Sequence, residues 1–295
     1  MTKPLKTTGY VLCLFLILAS DLWAADITLG VNAHFGAARA RAQYGELAEY
    51  LARETGKTVE LRPLALSAVI PAAAAERNPL DFILANPVQT LIMHEQLGVE
   101  PVATVVKKAG PQFAGVIVAK AGSGIAHAAD LKGKRVMSMK HRVAAGGYMF
   151  QAYHLLQQGI DVDKDFSEFL AGSNQETLVK IVAAGRVDAA FVRSGILEGM
   201  ADKKLIKLSD FVVVDQREDP EISLLHTTQL YPEWSFSSTH NASAANIALV
   251  KNALMKLSAD DTAAKTAKIT GFTEPVSLEP LKTAMTALKI APFDS

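Results

Sequence analysis

Short apolar runs alternate along this chain with longer stretches in which apolar residues recur every three or four positions. Ile27-Thr-Leu-Gly-Val31 is β-rich, and Ala37 to Glu54 carries helical spacing that ends at Thr55-Gly56. The alternation then repeats. Thr58 to Leu61 reads as a strand, Ser67 to Glu76 as an Ala-rich helix, Asp81 to Ala85 as a strand, Val88 to Gln96 as a helix and Val102 to Val106 as a strand. Strands and helices taking turns in this way predict parallel pairing through helical crossovers. After Lys107-Lys-Ala-Gly-Pro111 the rhythm restarts. Strands are expected at Gly115 to Ala119, Arg135 to Ser138, Phe166 to Leu170, Val187 to Val192 and Phe211 to Val214, with helices at Gly147 to Gln158 and Gln175 to Ala184. From Leu224 onward the pattern turns helical, at Ser243 to Leu257, Thr262 to Ile269 and Leu278 to Leu288.

The N-terminus breaks this pattern. Lys3 and Lys6 precede the apolar run Val11 to Leu18, followed by small residues and Leu22-Trp-Ala24-Ala25, the charge order and length of a cleaved secretory signal peptide. The run is shorter than the roughly 20 apolar residues a transmembrane helix needs. Cleavage after Ala24 is expected, with export to the periplasm. It removes Cys13, the only cysteine, so the mature chain is expected to fold without disulfides and to have no thiol chemistry. With 30 Lys and Arg against 30 Asp and Glu the chain is neutral, which argues against nucleic acid as a partner.

Candidate chemistry gathers where predicted strands end, the place where open α/β sheets bind ligands. Asn86-Pro87 closes a strand and opens a helix, leaving nearby backbone N–H groups available. Gly146 and Gly147 open the next lobe's helix, preceded by Lys140, His141 and Arg142 and followed by Tyr148. Glycines there let the backbone approach a ligand closely. Ser173 and Asn174 begin another helix, where capping is the plainer role. Arg193 and Ser194 follow the apolar strand Val187 to Val192. A guanidinium there either clamps an anion or forms a structural pair, with Glu198 and Asp188 as candidates. The seven histidines show no His-Glu-x-x-His spacing, and neither a nucleophile elbow nor a phosphate loop is present. Tyr231, Trp234 and Phe236 could form an aromatic platform, although packing against a lobe is the plainer reading.

Asp81-Phe-Ile-Leu-Ala-Asn-Pro87, Asp130-Leu-Lys-Gly-Lys134, Leu155-Leu-Gln-Gln-Gly-Ile-Asp161 with Asp165-Phe166, and Gly185-Arg-Val-Asp-Ala-Ala190 occur in an order that resembles the phosphonate-binding family of periplasmic solute-binding proteins. Val192-Arg-Ser-Gly-Ile-Leu-Glu198, Leu230-Tyr-Pro-Glu-Trp234 and Gly271 to Ser277 are most similar to sensor domains of tetrathionate-type histidine kinases. The resemblance implies an α/β, two-lobed type II Venus-flytrap fold. Residues 26–113 and 222–295 would form one lobe and 116–215 the other. It implies a non-enzymatic receptor for a small anionic ligand, without a cofactor, working with an ABC permease or a membrane sensor kinase. An enzyme on the same scaffold is the alternative. Where the family tends to place Ser-Thr-Ser-Gly, this chain has Ala144-Ala-Gly-Gly147. Asn174 stands where a histidine is usual, and Thr90 where a tyrosine is.

Overall fold

The computed structural model of the protein describes residues 25–33 and 36–294. The expected signal peptide and His34 lie outside the described residues. Strand β1 (Ile27–Asn32) runs parallel to β2 (Val59–Leu64) and β3 (Phe82–Ala85). Helix α1 (Ala37–Thr55) joins β1 to β2 and stops where Gly56 takes a left-handed conformation. Helix α2 (Val69–Ala73) leads to β3, and α3 (Pro87–Leu97) to β4 (Glu100–Val106). Every residue of β1 is buried, which suits a strand covered by helices on both faces.

The chain then leaves this sheet through β5 (Gln112–Phe113) and builds a second one. Its elements are β6 (Gly115–Lys120), β7 (Arg135–Ser138), α4 (Phe150–Gln157), β8 (Glu168–Ala171), α5 (Gln175–Ala183), β9 (Ala189–Arg193), α6 (Ile196–Asp202) and β10 (Phe211–Val213), in the strand order β10-β6-β9-β7-β8. A hairpin, β11 (Arg217–Asp219) and β12 (Ile222–His226), follows. Next, β13 (Tyr231–Pro232) pairs antiparallel with β5, so the outgoing and returning segments cross side by side. Strand β14 (Ser235–Ser238) re-enters the first sheet and β15 (Gly271–Thr273) closes its edge, giving β15-β4-β14-β3-β1-β2. Helices α7 (Ala244–Lys256), α8 (Thr262–Ala267) and α9 (Glu279–Ala287) complete the fold.

Two features depart from the expected rhythm. The sheets are mixed, because β14 lies antiparallel between β3 and β4, and β6 antiparallel to β9. Both inserted strands come directly after a crossing, and arriving from the other lobe they run against their neighbours. Strand β14 also went unforeseen: Ser235-Phe-Ser-Ser238 has one large apolar residue and no β-branched one, so neither propensity nor apolar periodicity marks it. It is nevertheless wholly buried, with Phe236 packed 5.5 Å from Phe82.

Each sheet has its own apolar core. Leu29, Phe82, Phe236 and Leu254 belong to the first, Val118, Val192 and Leu178 to the second. A further cluster joins them. Leu91 of α3, Phe150 and Tyr153 of α4, Tyr231 of β13, and Leu281 and Met285 of α9 pack together. Helix α9 is thus held by α3 from the first lobe, where Lys282 also pairs with Glu95 at 2.9 Å, and by α4 from the second.

Candidate functional site

The strand ends of both sheets face a cavity of about 1330 Å³ beside the paired crossings. From the first lobe, Leu84 and Asn86 at the end of β3, Asn32 at the end of β1, Val105 of β4 and Trp234 ahead of β14 reach it, together with Tyr44 of α1. The second lobe contributes Gly146, Gly147, Ser173, Gln175 and Arg193. Among the described residues six in the lining are cationic, namely Arg39, Lys107, Lys140, Arg142, Arg193 and Lys268, and none is Asp or Glu.

Glu233 lies just behind this wall with its side chain 2% exposed, bridged by Arg193 Nη2 at 2.6 Å and by Lys107 Nζ at 3.0 Å. Burial pushes its carboxyl up, but the Arg193 and Lys107 charges prevail and hold it below the usual carboxylate value of 4.5. Lys107 is pulled below its ordinary value by burial, with Arg193 adding to the effect and Glu233 opposing it. The Arg193 guanidinium carbon also sits 4.3 Å from the Phe113 ring centroid, a cation–π contact. Its backbone N–H donates to Gln175 Oε1 at 2.6 Å. A guanidinium has five N–H donors, so one bond to Glu233 leaves others to face the cavity. Burial, with Glu233 nearby, raises the Tyr44 hydroxyl to about 12, so it keeps its proton throughout the physiological range.

Gly146 and Gly147 lie in a π turn, Ala145–Met149, that opens α4. The first bond of this turn runs from Met149 N to Ala144 O, so the preceding amides stand ahead of the helical ladder, where the helix dipole favours negative charge. Close approach, and not a positive φ, requires the glycines. A Cβ on Gly146 would lie 2.7 Å from Phe113 Cε2 and 3.0 Å from Arg193 Cβ, and one on Gly147 would lie 2.6 Å from Met139 Cγ. Buried Gln151 fixes the turn, its Nε2 donating to Gly146 O at 2.9 Å and to Val192 O at 2.7 Å.

Of the residues singled out in the sequence, Asn86, Gly146, Gly147, Ser173 and Arg193 stand together in the cavity wall. The other five do not. Thr90 is buried in α3 with its hydroxyl donating to Asn86 O. Ser194 pairs with the Ala114 backbone, Oγ accepting from N at 3.0 Å. Asn174 caps α5, accepting from Thr177 N. His141 and Tyr148 point back into an aromatic stack, with ring centroids 5.2 Å apart and His141 4.1 Å from Phe169. Apolar neighbours draw these two rings out of the cleft. The partner of Arg193 is neither Glu198, which accepts from Leu225 N, nor Asp188, which pairs with Arg135. It is Glu233, distant in sequence and brought near by the second crossing. Trp234 lines the cavity, whereas Tyr231 and Phe236 are core residues. Asn32, Tyr44, Lys107 and Gln175 belong to the site without a local sequence signal.

Two mixed sheets, each with an antiparallel strand entering directly after a crossing, and a cleft between them define a two-lobed binding protein of the type II periplasmic class. The match covers residues 29–279 and assigns the family: this chain belongs to the phosphonate-type periplasmic substrate-binding proteins of ABC transporters. A tetrathionate sensor histidine kinase from Salmonella typhimurium is 29% identical over 244 residues, covering 81% of this chain. The matched region is 40% of that kinase, so the chain spans well under half of its relative. Among solved structures, a Xanthomonas citri protein bound to ATP aligns with a TM-score of 0.69 at 16% identity, over 90% of this chain and 98% of its own. A methylphosphonate complex of PhnD1 from Prochlorococcus marinus aligns at 0.63 with 14% identity, over 89% of this chain and 97% of its own. Both share the fold.

Proposed function

We propose that this protein captures a small anion, an oxyanion or a small organic acid, between its lobes and presents the closed complex to an ABC permease or a membrane sensor kinase. The observation that carries this reading is the charge of the cavity wall, with six cationic side chains and no carboxylate among the described residues. Arg193 is the clamp: a guanidinium offers paired donors that match a carboxylate or a sulfur or phosphorus oxyanion. The amides at Gly146 and Gly147 form the cradle, with Asn86 and Ser173 completing the shell from either side. The lobes are residues 26–113 with 222–295, and 116–215, and they close about the two crossings. Binding without turnover fits a family of substrate-binding proteins. Release from a precursor near Ala24 into the periplasm is part of the same reading, and N-terminal sequencing of the periplasmic protein is expected to begin near Ala25.

A thermal-shift panel of oxyanions and small organic acids, followed by calorimetry, tests the clamp. Arg193→Ala is expected to weaken the best anion by about tenfold or more, since a buried charge-assisted bond is worth roughly 1.5 to 3 kcal/mol. Unchanged affinity in the folded variant would remove Arg193 from the site.

A further inference from the structure

The cavity, about 1330 Å³ before any closure, is less uniform than a bare oxyanion needs. Its two ends also differ in chemistry. Lys107 and Arg193 mark the end beside the crossings. The first-lobe floor that leads away from them towards β1 is apolar, built from Val105, Trp234 and Leu84, with the half-buried Trp234 indole on the lobe's core.

At the far end of that floor stands a polar atom with no partner among the described residues. Leu66 O can only accept, so Gln89 Nε2 donates to it at 2.8 Å and Gln89 Oε1 must be the acceptor of the amide pair. That oxygen takes bonds from Asn32 Nδ2 at 2.7 Å and from Asn86 Nδ2 at 2.6 Å. The chain of bonds fixes which way each amide points. It leaves Asn32 Oδ1 buried with no donor, in a residue that is 3% exposed and belongs to the cavity wall. An acceptor shielded from water and left unpaired is costly. Strand β14, ahead of which Trp234 sits, is two positions from β1, whose last residue is Asn32. At about 4.8 Å per strand, roughly 10 Å separates them.

We infer that the ligand is an organic anion with an apolar or aromatic body. Its acidic head meets Arg193 and Lys107, its body lies along the Trp234 and Leu84 floor, and an N–H or O–H donor at its far end satisfies Asn32 Oδ1. This rests on the anion-capture reading above and narrows it. A bare inorganic oxyanion can reach the head position only.

Calorimetry on the mature protein with methylphosphonate, benzylphosphonate and (4-aminobenzyl)phosphonate tests the assignment. Benzylphosphonate is expected to bind about tenfold or more tightly than methylphosphonate, the effect of burying one ring. The amino compound is expected to gain about threefold or more again. Trp234→Leu should cut the benzyl gain, and Asn32→Leu should abolish the amino gain, each gain being read as a ratio of affinities within the same variant. Equal affinity of wild-type protein for the methyl and benzyl compounds would overturn the body assignment and leave anion capture standing. Equal affinity for the benzyl and aminobenzyl compounds would overturn the role of Asn32. Parallel loss of all three ligands in either variant would show that its residue is structural and overturn its assignment to the ligand. No binding of any of the three would overturn this inference, while the anion-capture reading on which it rests falls only if the wider panel of oxyanions and organic acids also fails to bind.

Discussion

Glu233 is the residue on which the cationic wall depends. Its carboxylate neutralises part of the charge on Arg193 and Lys107 and holds both in place. Removing one member of a buried ionic group leaves the others uncompensated, so Glu233→Gln is expected to cost about 3 kcal/mol or more in chemical denaturation. The same change should tighten anion binding, because the clamp loses its internal competitor. The pH dependence follows from the depressed carboxyl. Its stabilisation is fully present above pH 4.5 and is lost as the pH falls through the lower value of the folded protein. Melting temperatures of the wild type and Glu233→Gln should therefore converge as the pH drops below 4.5. Legibility at this scale was uneven. Arg193 stood out because a charge ended an apolar strand, and Gly146 and Gly147 because they opened a helix. Glu233 did not, since nothing near it in the sequence reports a partner 40 residues away. His141 and Tyr148 were misplaced because a polar ring beside a glycine pair reads as a site residue until Phe169 is seen beneath it.

Among the elements, the π turn at Ala145–Met149 ties the two sides of the cleft together. Gly146→Ala is expected to destabilise by about 1 to 3 kcal/mol, because the added methyl meets the Phe113 ring and Arg193 Cβ with little room to yield. Its anion affinity should fall as well, since Arg193 is what moves, and calorimetry beside a melt would show both. A serine at this position, as in the Ser-Thr-Ser-Gly run of similar proteins, meets the same obstacle. A hydroxyl side chain at position 146 and this Phe113–Arg193 packing exclude each other. Gln151→Leu should cost about 1 to 3 kcal/mol for each carbonyl left bare, Gly146 O and Val192 O being the most exposed to the loss. Most helices and parallel strands were readable from periodicity. Strand β14 and the crossing strands β5 and β13 were not, because they are two to four residues long and owe their form to pairing across the fold.

For the whole molecule, the proposed closure would bring Asn86 of one lobe towards Ser173 and Arg193 of the other, and small-angle scattering should then show a smaller radius of gyration once a ligand saturates the cleft. The two-lobed plan was legible because the strand-helix rhythm stops and restarts at the crossings. The course of the C-terminal helix was not, since its apolar face says only that something covers it. That something is both lobes: α3 on one side and α4 on the other. A change in their relative angle should therefore alter the packing of α9 against one or both of them. The exposed face of α9 is open to chemistry at Thr283, and the chain's only cysteine is Cys13. A thiol introduced as Thr283→Cys would thus be unique after residue 24, and a solvent-sensitive dye on it would turn the protein into an optical reporter of its own ligand.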